Sequence, residues 1–196
     1  MPINKCLVCN KVSISTLSDV LFKKPICSSC FEKFKVILEK SSLEGKELLC
    51  LYKYEGIGKD LLYQFKGEND IKLKEVFTYM FQKFLKNKYK GYVFYCAPSS
   101  LKSDQKRGFN HVEEIALTLS KRVYKPFFKK VDWKQSDKKG KERERIEDVI
   151  GFDGRNDKKV VLIDDVMTTG STLKSCLRHL STNIDCKVLV IFKNCR

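Results

Sequence analysis

Two hydrophobic spacings alternate along the chain, and together they predict an α/β fold. Continuous apolar runs predict strands at Leu48–Tyr54, Tyr92–Ala97, Val160–Ile163 and Val188–Phe192. Apolar residues three or four positions apart predict helices with these core faces: Ile57, Leu61, Leu62 and Phe65; Leu73, Val76, Phe77, Met80 and Phe84; Val112, Ile115, Ala116 and Leu119; Leu173, Cys176, Leu177 and Leu180. This alternation favours a parallel sheet flanked by helices.

The N-terminal part differs in character from the rest. Phe31, Phe34, Ile37 and Leu38 predict a short amphipathic helix, and residues 41–46 have the composition of a linker. We therefore predict a small module over residues 1–40 and a main domain over residues 48–196.

Four cysteines predict a metal site in the small module. Cys6 and Cys9 form one CxxC pair, and Cys27 and Cys30 form another. This spacing is typical of a structural zinc site, in which four thiolates fill the tetrahedron and leave no open position for water. Two disulfides, an iron centre or a pair of knuckles without metal remain alternatives.

The other cysteines have a different pattern. Cys50 and Cys96 lie in predicted strands and Cys176 on a helical apolar face, so we expect small buried side chains. Cys186 and Cys195 remain unassigned.

The sequence VVLIDDVMTTGST, residues 160–172, predicts a ligand site. A strand brings Asp164 and Asp165 to the carboxyl edge of the sheet, where open α/β sheets bind ligands. A turn then leads into a helix, whose free backbone N–H groups favour phosphate; its residues are Thr168, Thr169, Gly170, Ser171 and Thr172. Two carboxylates suit a diol, so a ribose 5-phosphate has both groups that this site requires.

The chain resembles the ComF family of phosphoribosyltransferase-like proteins. The resemblance covers nearly the whole chain: the cysteine pairs, YKYEGIGKDLLYQFKG (residues 52–67), KRGFNHVEEIA (106–116) and VLIDDVMTTGST (161–172). The last segment is similar to the phosphoribosyl pyrophosphate (PRPP) motif of type I phosphoribosyltransferases. The resemblance therefore implies a type I phosphoribosyltransferase-like parallel sheet flanked by helices, with the zinc module appended.

The resemblance also implies roles for individual residues. Asp164 and Asp165 bind the ribose hydroxyls, residues 168–172 hold the 5′-phosphate, and the loop Pro98, Ser99 and Ser100 faces the pyrophosphate, which is bound with Mg²⁺.

Lys106 and Arg107 are candidates for offsetting the charge of a departing pyrophosphate, while Asp164 and Asp165 stabilise a cation-like ribose carbon. The alternative is that Lys106 and Arg107 lie on a solvated loop. Lys66 is equally consistent with a ligand contact and with a surface lysine.

Three further features are less specific. The charged segment Lys134–Asp148 is a candidate for the mobile loop of type I phosphoribosyltransferases, or a solvated loop without a role in the site. Lys134, Gln135, Arg145 and Phe152 fit the family pattern loosely, with Asp148 at the place of an expected asparagine. We interpret His111 and His179 as structural, since the sequence shows no catalytic partner for either.

The charge of the chain predicts anionic partners. There are 39 Lys and Arg against 24 Asp and Glu, giving a formal net charge of +15. Such a field attracts nucleic acid, phosphorylated metabolites or anionic lipid, although it also serves solubility. Because no apolar stretch approaches the roughly 18 residues of a membrane span and the N-terminus lacks an apolar signal core, we expect a cytoplasmic protein.

Two functions are compatible with these observations. The family is associated with natural competence, which implies a protein that handles single-stranded DNA, has a PRPP site and works beside a competence helicase. Aromatic residues among lysines in FQKFLKNKYKGY (residues 81–92) agree with single-strand binding, although several of them must also serve the core. The alternative is an active phosphoribosyltransferase of a nucleotide or salvage pathway with an incidental basic surface. No residues specify an acceptor, so catalysis stays an open question at this stage.

Overall fold

A six-stranded sheet forms the centre of the protein in the computed structural model, which describes residues 5–12, 24–130 and 149–194. The strand order is β1-β2-β8-β7-β3-β4. These strands are β1 Val36–Leu43, β2 Lys46–Lys53, β3 Val93–Cys96, β4 Val123–Tyr124, β7 Lys159–Met167 and β8 Asp185–Lys193. Two short strands, β5 Phe127–Lys129 and β6 Ile150–Phe152, form a separate antiparallel pair.

Helices connect and cover the strands. They are α1 Ser28–Phe31, α2 Gly56–Gly67, α3 Lys74–Thr78, α4 Gln82–Lys88, α5 Leu101–Arg107, α6 His111–Leu117 and α7 Ser171–His179, with 3-10 turns at Ile71–Leu73 and Tyr79–Phe81. All strands of the main sheet run parallel except β1, which pairs antiparallel with β2. The predicted sheet, largely parallel and flanked by helices, is therefore confirmed.

The sheet has a hydrophobic core on each face. On one face, alternate strand residues such as Leu162 and Val188 pack with Leu173 and Cys176 of α7. On the other face, residues such as Ile163 pack with side chains of α2, α3 and α6. This burial on both faces explains the continuous apolar runs of the central strands.

The buried cysteines follow the prediction. Cys50, Cys96 and Cys176 are fully enclosed, and the previously unassigned Cys186 is also buried, in β8. Cys195 lies outside the described residues. The core assignment was wrong for Met80 and Phe84, which are 49% and 41% exposed because 3-10 turns interrupt the helical path and rotate the apolar face.

The prediction for residues 31–46 was wrong. Helix α1 ends at Phe31, and Ile37 and Leu38 lie in strand β1. The expected linker is the hairpin between β1 and β2, in which Leu43 pairs with Lys46. Glu44 and Gly45 form its turn with positive φ angles of 50° and 73°. Pairing with the apolar strand β2 decides this conformation, so the strand β1 forms despite its local helical spacing.

Candidate functional site

The acidic pair lies where strand β3 ends. Strand β7 pairs with β3 only as far as Cys96 and Ile163, whereas its pairing with β8 continues to Met167. The N–H of Ala97 still donates to the carbonyl of Ile163 at 2.8 Å, and the chain then leaves the sheet. Asp164 and Asp165 therefore lie inside strand β7, which continues past its predicted end at Ile163, with an open flank beside them.

A cleft of about 250 Å³ occupies that flank. Its walls come from α2, the β3–α5 loop, α5, α6, β5, β7 and the start of α7. The lining residues are Lys66, Pro98, Ser99, Ser100, Ser103, Arg107, His111, Val112, Lys129, Asp164, Asp165 and Thr172. The structure thus brings together the acidic pair, the loop 98–100, Arg107 and Thr172. Lys106 is exposed on α5 and is not among the lining residues.

Asp165 has cationic and hydrogen-bonding partners inside this cleft. Its side chain is 7% exposed and forms an ion pair with Lys66 of α2. His111 Nε2 lies 3.4 Å from Asp165 Oδ1, and Arg107 lies 2.6 Å from His111 Nδ1. Because guanidinium can only donate, His111 accepts at Nδ1 and its Nε2–H points at Asp165. His111, which sequence analysis left without a partner, therefore connects Arg107 to the acidic pair.

The two carboxyl groups have opposite pKa shifts. Burial and the adjacent charge of Asp165 raise the pKa of Asp164 well above its usual range. Burial alone also raises the pKa of Asp165, but the hydrogen bond from His111 and the charge of Lys66 outweigh it, so this pKa lies below its usual range. Asp165 is therefore the firmly ionised member of the pair.

A hydrogen-bond network holds the loop 98–100. Ser99 Oγ donates to Asp104, and Asn110 Nδ2 donates to both Ser99 Oγ and Asp104 Oδ2 at 2.8 Å each. Arg107 lies 3.5 Å from the second oxygen of Asp104. Sequence analysis missed Asp104 and Asn110, although both lie within or beside the KRGFNHVEEIA segment that carried the family resemblance.

The hydroxyl-rich turn forms a second, smaller cavity of about 50 Å³ beside Asp164. Its walls are residues 164 and 166–173. Gly170 has a φ of 75°, which L side chains rarely adopt, and it directly precedes helix α7. The hydroxyls of Thr169 and Ser171 lie 2.7 Å apart. A pocket of this size, with free N–H groups of a helix start and hydroxyl donors, is suited to a phosphate group.

The four predicted cysteine ligands converge in the N-terminal part. The sulfur atoms of Cys6, Cys9, Cys27 and Cys30 lie within 4.8 Å of one another and can together hold a metal ion. The backbone N–H of Cys27 points at Cys6 Sγ at 3.4 Å, which stabilises a thiolate. In the described part of the chain, this is the one cluster of at least three metal-ligating side chains.

Three further predictions concern His179, the charged segment 134–148 and the absence of a membrane span. His179 is exposed on α7, contacts the carbonyl of Ile150 at 3.0 Å and stacks on Phe152. The segment 134–148 lies outside the described residues. Within the described residues, no helix is long and apolar enough to cross a membrane.

The sheet, the cleft at its carboxyl edge and the acidic pair define a phosphoribosyltransferase-like protein. The phosphoribosyl transferase domain family matches residues 105–192. Competence protein ComFC of Streptococcus pneumoniae is 30% identical over 200 residues, covering 86% of this chain and 90% of that protein. Competence protein ComFC of Bacillus subtilis is 30% identical over 161 residues, covering 79% of this chain and 65% of that protein. The chain belongs to the ComFC family.

Proposed function

We propose that the protein binds a PRPP-type ligand with Mg²⁺ in the cleft at the carboxyl edge of the sheet. The observation that carries the proposal is the position of a partnered acidic pair directly beside a phosphate-sized cavity. Carboxylates accept hydrogen bonds from a ribose diol, while the turn 168–172 donates to a 5′-phosphate. A ligand that carries both groups fits both cavities at once.

The opposite wall of the cleft suits the pyrophosphate of the same ligand. Arg107 and Lys129 line it together with Ser99 and Ser100, so cations and hydroxyl donors face the space beyond the ribose. Mg²⁺ prefers oxygen ligands and bridges substrate phosphates while it keeps several waters. It would therefore offset the pyrophosphate charge close to Asp164 without a protein cage of its own.

The biological setting that we propose is natural competence. Both relatives are named competence proteins, and the S. pneumoniae protein is matched over 90% of its length. The formal charge of +15 supports a polyanionic partner, which in competence is single-stranded DNA. We accordingly propose a cytoplasmic protein that handles single-stranded DNA beside a competence helicase.

For the cysteine cluster we propose structural zinc. Four thiolates whose sulfur atoms lie within 4.8 Å of one another suit the tetrahedral coordination of Zn²⁺. Because protein side chains would fill all four positions, the ion would have no open site for catalysis.

Calorimetry with PRPP and Mg²⁺ tests the ligand site. The double variant Asp164→Asn with Asp165→Asn keeps the shape but removes the charged acceptors, and its affinity should fall about tenfold or more. Thr169→Val tests the phosphate cavity independently.

A matched control removes two exposed carboxylates of the α2 region, Asp60→Asn with Glu68→Gln, and should bind like the parent. Equal affinity of the parent and the double variant would show that the acidic pair does not bind the ribose.

A second candidate function is phosphoribosyl transfer. Arg107 and Lys129 on the cleft wall favour it, because two cations there would offset the charge of a leaving pyrophosphate. A pyrophosphate-release assay with PRPP and a panel of bases and amines tests it. Release that depends on one acceptor and disappears in Arg107→Met would establish the enzyme, whereas binding without release would leave the cleft as a ligand site.

A further inference from the structure

Basic side chains are concentrated at the edge of the sheet opposite the cleft. Strands β8, β7, β3 and β4 are parallel neighbours, so their amino ends meet at one edge. Lysine or arginine lies within three residues of each of these ends: Lys187, Lys158, Lys159, Lys90, Lys121 and Arg122. All are exposed except Lys187, which is half-buried. We call these six residues the basic edge.

Few acidic groups offset this charge. Glu47 accepts from Lys187 at 3.2 Å and also pairs with Lys88, which lies next to the edge. Asp185 accepts from the hydroxyl of Tyr92 at 2.5 Å. Asp157 pairs with Arg155 and also interacts with Arg122 of the basic edge. In the cleft, Lys66 pairs with Asp165 and Arg107 lies beside Asp104, while Lys129 is a further cation of the lining. An excess of positive charge also remains at the amino edge, where six cations of the basic edge have few acidic neighbours.

An aromatic ring lies within the row of cations. The ammonium groups of Lys159 and Lys187 lie 5.8 and 5.5 Å from the ring centroid of half-buried Tyr92. Cations beside a partly exposed aromatic ring are a combination that binds single-stranded nucleic acid, because phosphates meet the cations and a base stacks on the ring.

The dimensions of the basic edge favour one strand of nucleic acid. Four adjacent strands span about 14 Å, given a spacing of about 4.8 Å between neighbours. The six cations lie along this edge, so they can contact successive phosphates of one nucleic-acid backbone.

We propose that single-stranded DNA binds along the basic edge and leaves the phosphoribosyl cleft free. Asp165 lies six positions after Lys159 in β7, which corresponds to about 20 Å along the strand. The two ligands therefore bind at the same time without competing. This inference rests on the proposed function, since it assigns a surface to the DNA that the proposed function requires.

Fluorescence anisotropy with a labelled oligothymidylate, at low and moderate salt, tests the surface. The variant Lys90→Glu with Lys159→Glu should bind at least about tenfold more weakly, and the slope of log affinity against log salt should fall by about 1.4, or about 0.7 for each lost phosphate contact. Tyr92→Leu should weaken binding at both salt concentrations without changing the slope, because stacking releases no counterions.

The control variant is Lys35→Glu with Lys59→Glu, which makes the same change of charge at the carboxyl edge. The Lys35 carbonyl accepts from the N–H of Lys53, the last residue of β2. Lys59 follows Gly58, which packs so closely on Phe192 near the end of β8 that an added Cβ atom would lie 2.7 Å from the ring. This variant should bind DNA within a factor of about two of the parent, a difference well below one lost phosphate contact. Calorimetry with PRPP and Mg²⁺ checks that both double variants are folded and retain the cleft.

The possible outcomes separate the two proposals. If both double variants weaken DNA binding equally, or if PRPP with Mg²⁺ displaces the oligonucleotide, the basic edge is not the DNA surface. The proposal that the protein binds single-stranded DNA would still stand. Tighter binding of a duplex than of the single strand would also overturn it. If the parent protein shows no salt-dependent binding to the oligonucleotide, the DNA-handling part of the proposed function is itself wrong.

Discussion

Asp164 and Asp165 are neighbours in the sequence but have opposite electrostatic surroundings. Asp165 is buried against Lys66 and His111, which favour its charged form. Asp164 accepts the N–H of Asp165 at 2.9 Å, but its charge is disfavoured by burial and by the charge beside it. Two adjacent residues of one type therefore contribute to stability with opposite signs.

We expect the same isosteric change to have opposite effects at these two positions. At neutral pH, Asp164→Asn should raise the free energy of unfolding by on the order of 1 kcal/mol, because it removes an unfavourable buried charge. Asp165→Asn should lower it by about 1 to 3 kcal/mol, because Lys66 and His111 lose their acceptor. Urea unfolding measures both. Changes of the same sign would contradict the assigned ion pair.

The lowered pKa of Asp165 makes the free energy of unfolding depend on pH. A carboxyl whose pKa is lower in the folded state stabilises the protein above its unfolded pKa, about 3.9, and this stabilisation is lost as the pH falls towards the folded value. The stability difference between the parent and Asp165→Asn should therefore shrink as the pH falls from about 5 to about 3. A difference that stays constant over this range would show that Asp165 stabilises the protein by packing alone.

At the scale of elements, helix α2 positions Lys66 by packing closely on strand β8. A Cβ atom on Gly58 would lie 2.7 Å from the ring of Phe192 and 3.5 Å from that of Phe34. Phe192 is fully buried among Tyr52, Tyr54 and Phe77, so its ring cannot move aside. The missing side chain therefore allows the close approach of α2.

Gly58→Ala should lower the free energy of unfolding by about 1 to 3 kcal/mol through overpacking. Gly67→Ala at the other end of the same helix is the control: the nearest atom lies 3.8 Å away, and alanine there should be neutral or slightly stabilising. Thermal or urea unfolding of both variants checks this. Equal stability of the two would contradict the close packing of α2 on β8.

At the scale of the whole molecule, the cysteine cluster is part of the main core. Cys6, Ile26, Cys30 and Phe34 belong to the same hydrophobic cluster as Phe192. Metal bound by the cysteines should therefore stabilise the whole protein and not only the N-terminal part.

Removal of the metal should lower the midpoint of one common unfolding transition. Cys27→Ser should lower both the zinc content and this midpoint, whereas Cys186→Ser, at a buried cysteine outside the cluster, should retain the metal. Metal analysis and calorimetric melting measure these effects. If protein prepared in the presence of zinc contains no zinc, the proposed zinc site is wrong. Two separate melting transitions would contradict the coupling between metal binding and the stability of the main core.

Most of the fold was predictable because its signals are local. The central strands are buried on both faces, so they appear in the sequence as continuous apolar runs such as Val160–Ile163. The CxxC pairs and the turn at Gly170 are likewise local, because ligand spacing and a positive φ angle depend on adjacent residues. The hairpin at residues 36–53 was not predicted, because its first strand depends on a partner rather than on its own spacing.

The sequence by itself determined the class of fold, the four clustered cysteines and the acidic pair with its hydroxyl-rich turn. Only the tertiary structure decided which residues surround that pair. Lys66 and His111 come from separate helices, and they reach Asp165 because the strand order places α2 and α6 beside the end of β7. The basic edge has the same origin. Its cations are scattered along the chain, and the parallel arrangement of the strands brings them to one edge of the sheet, because proximity between distant residues depends on topology and not on local spacing.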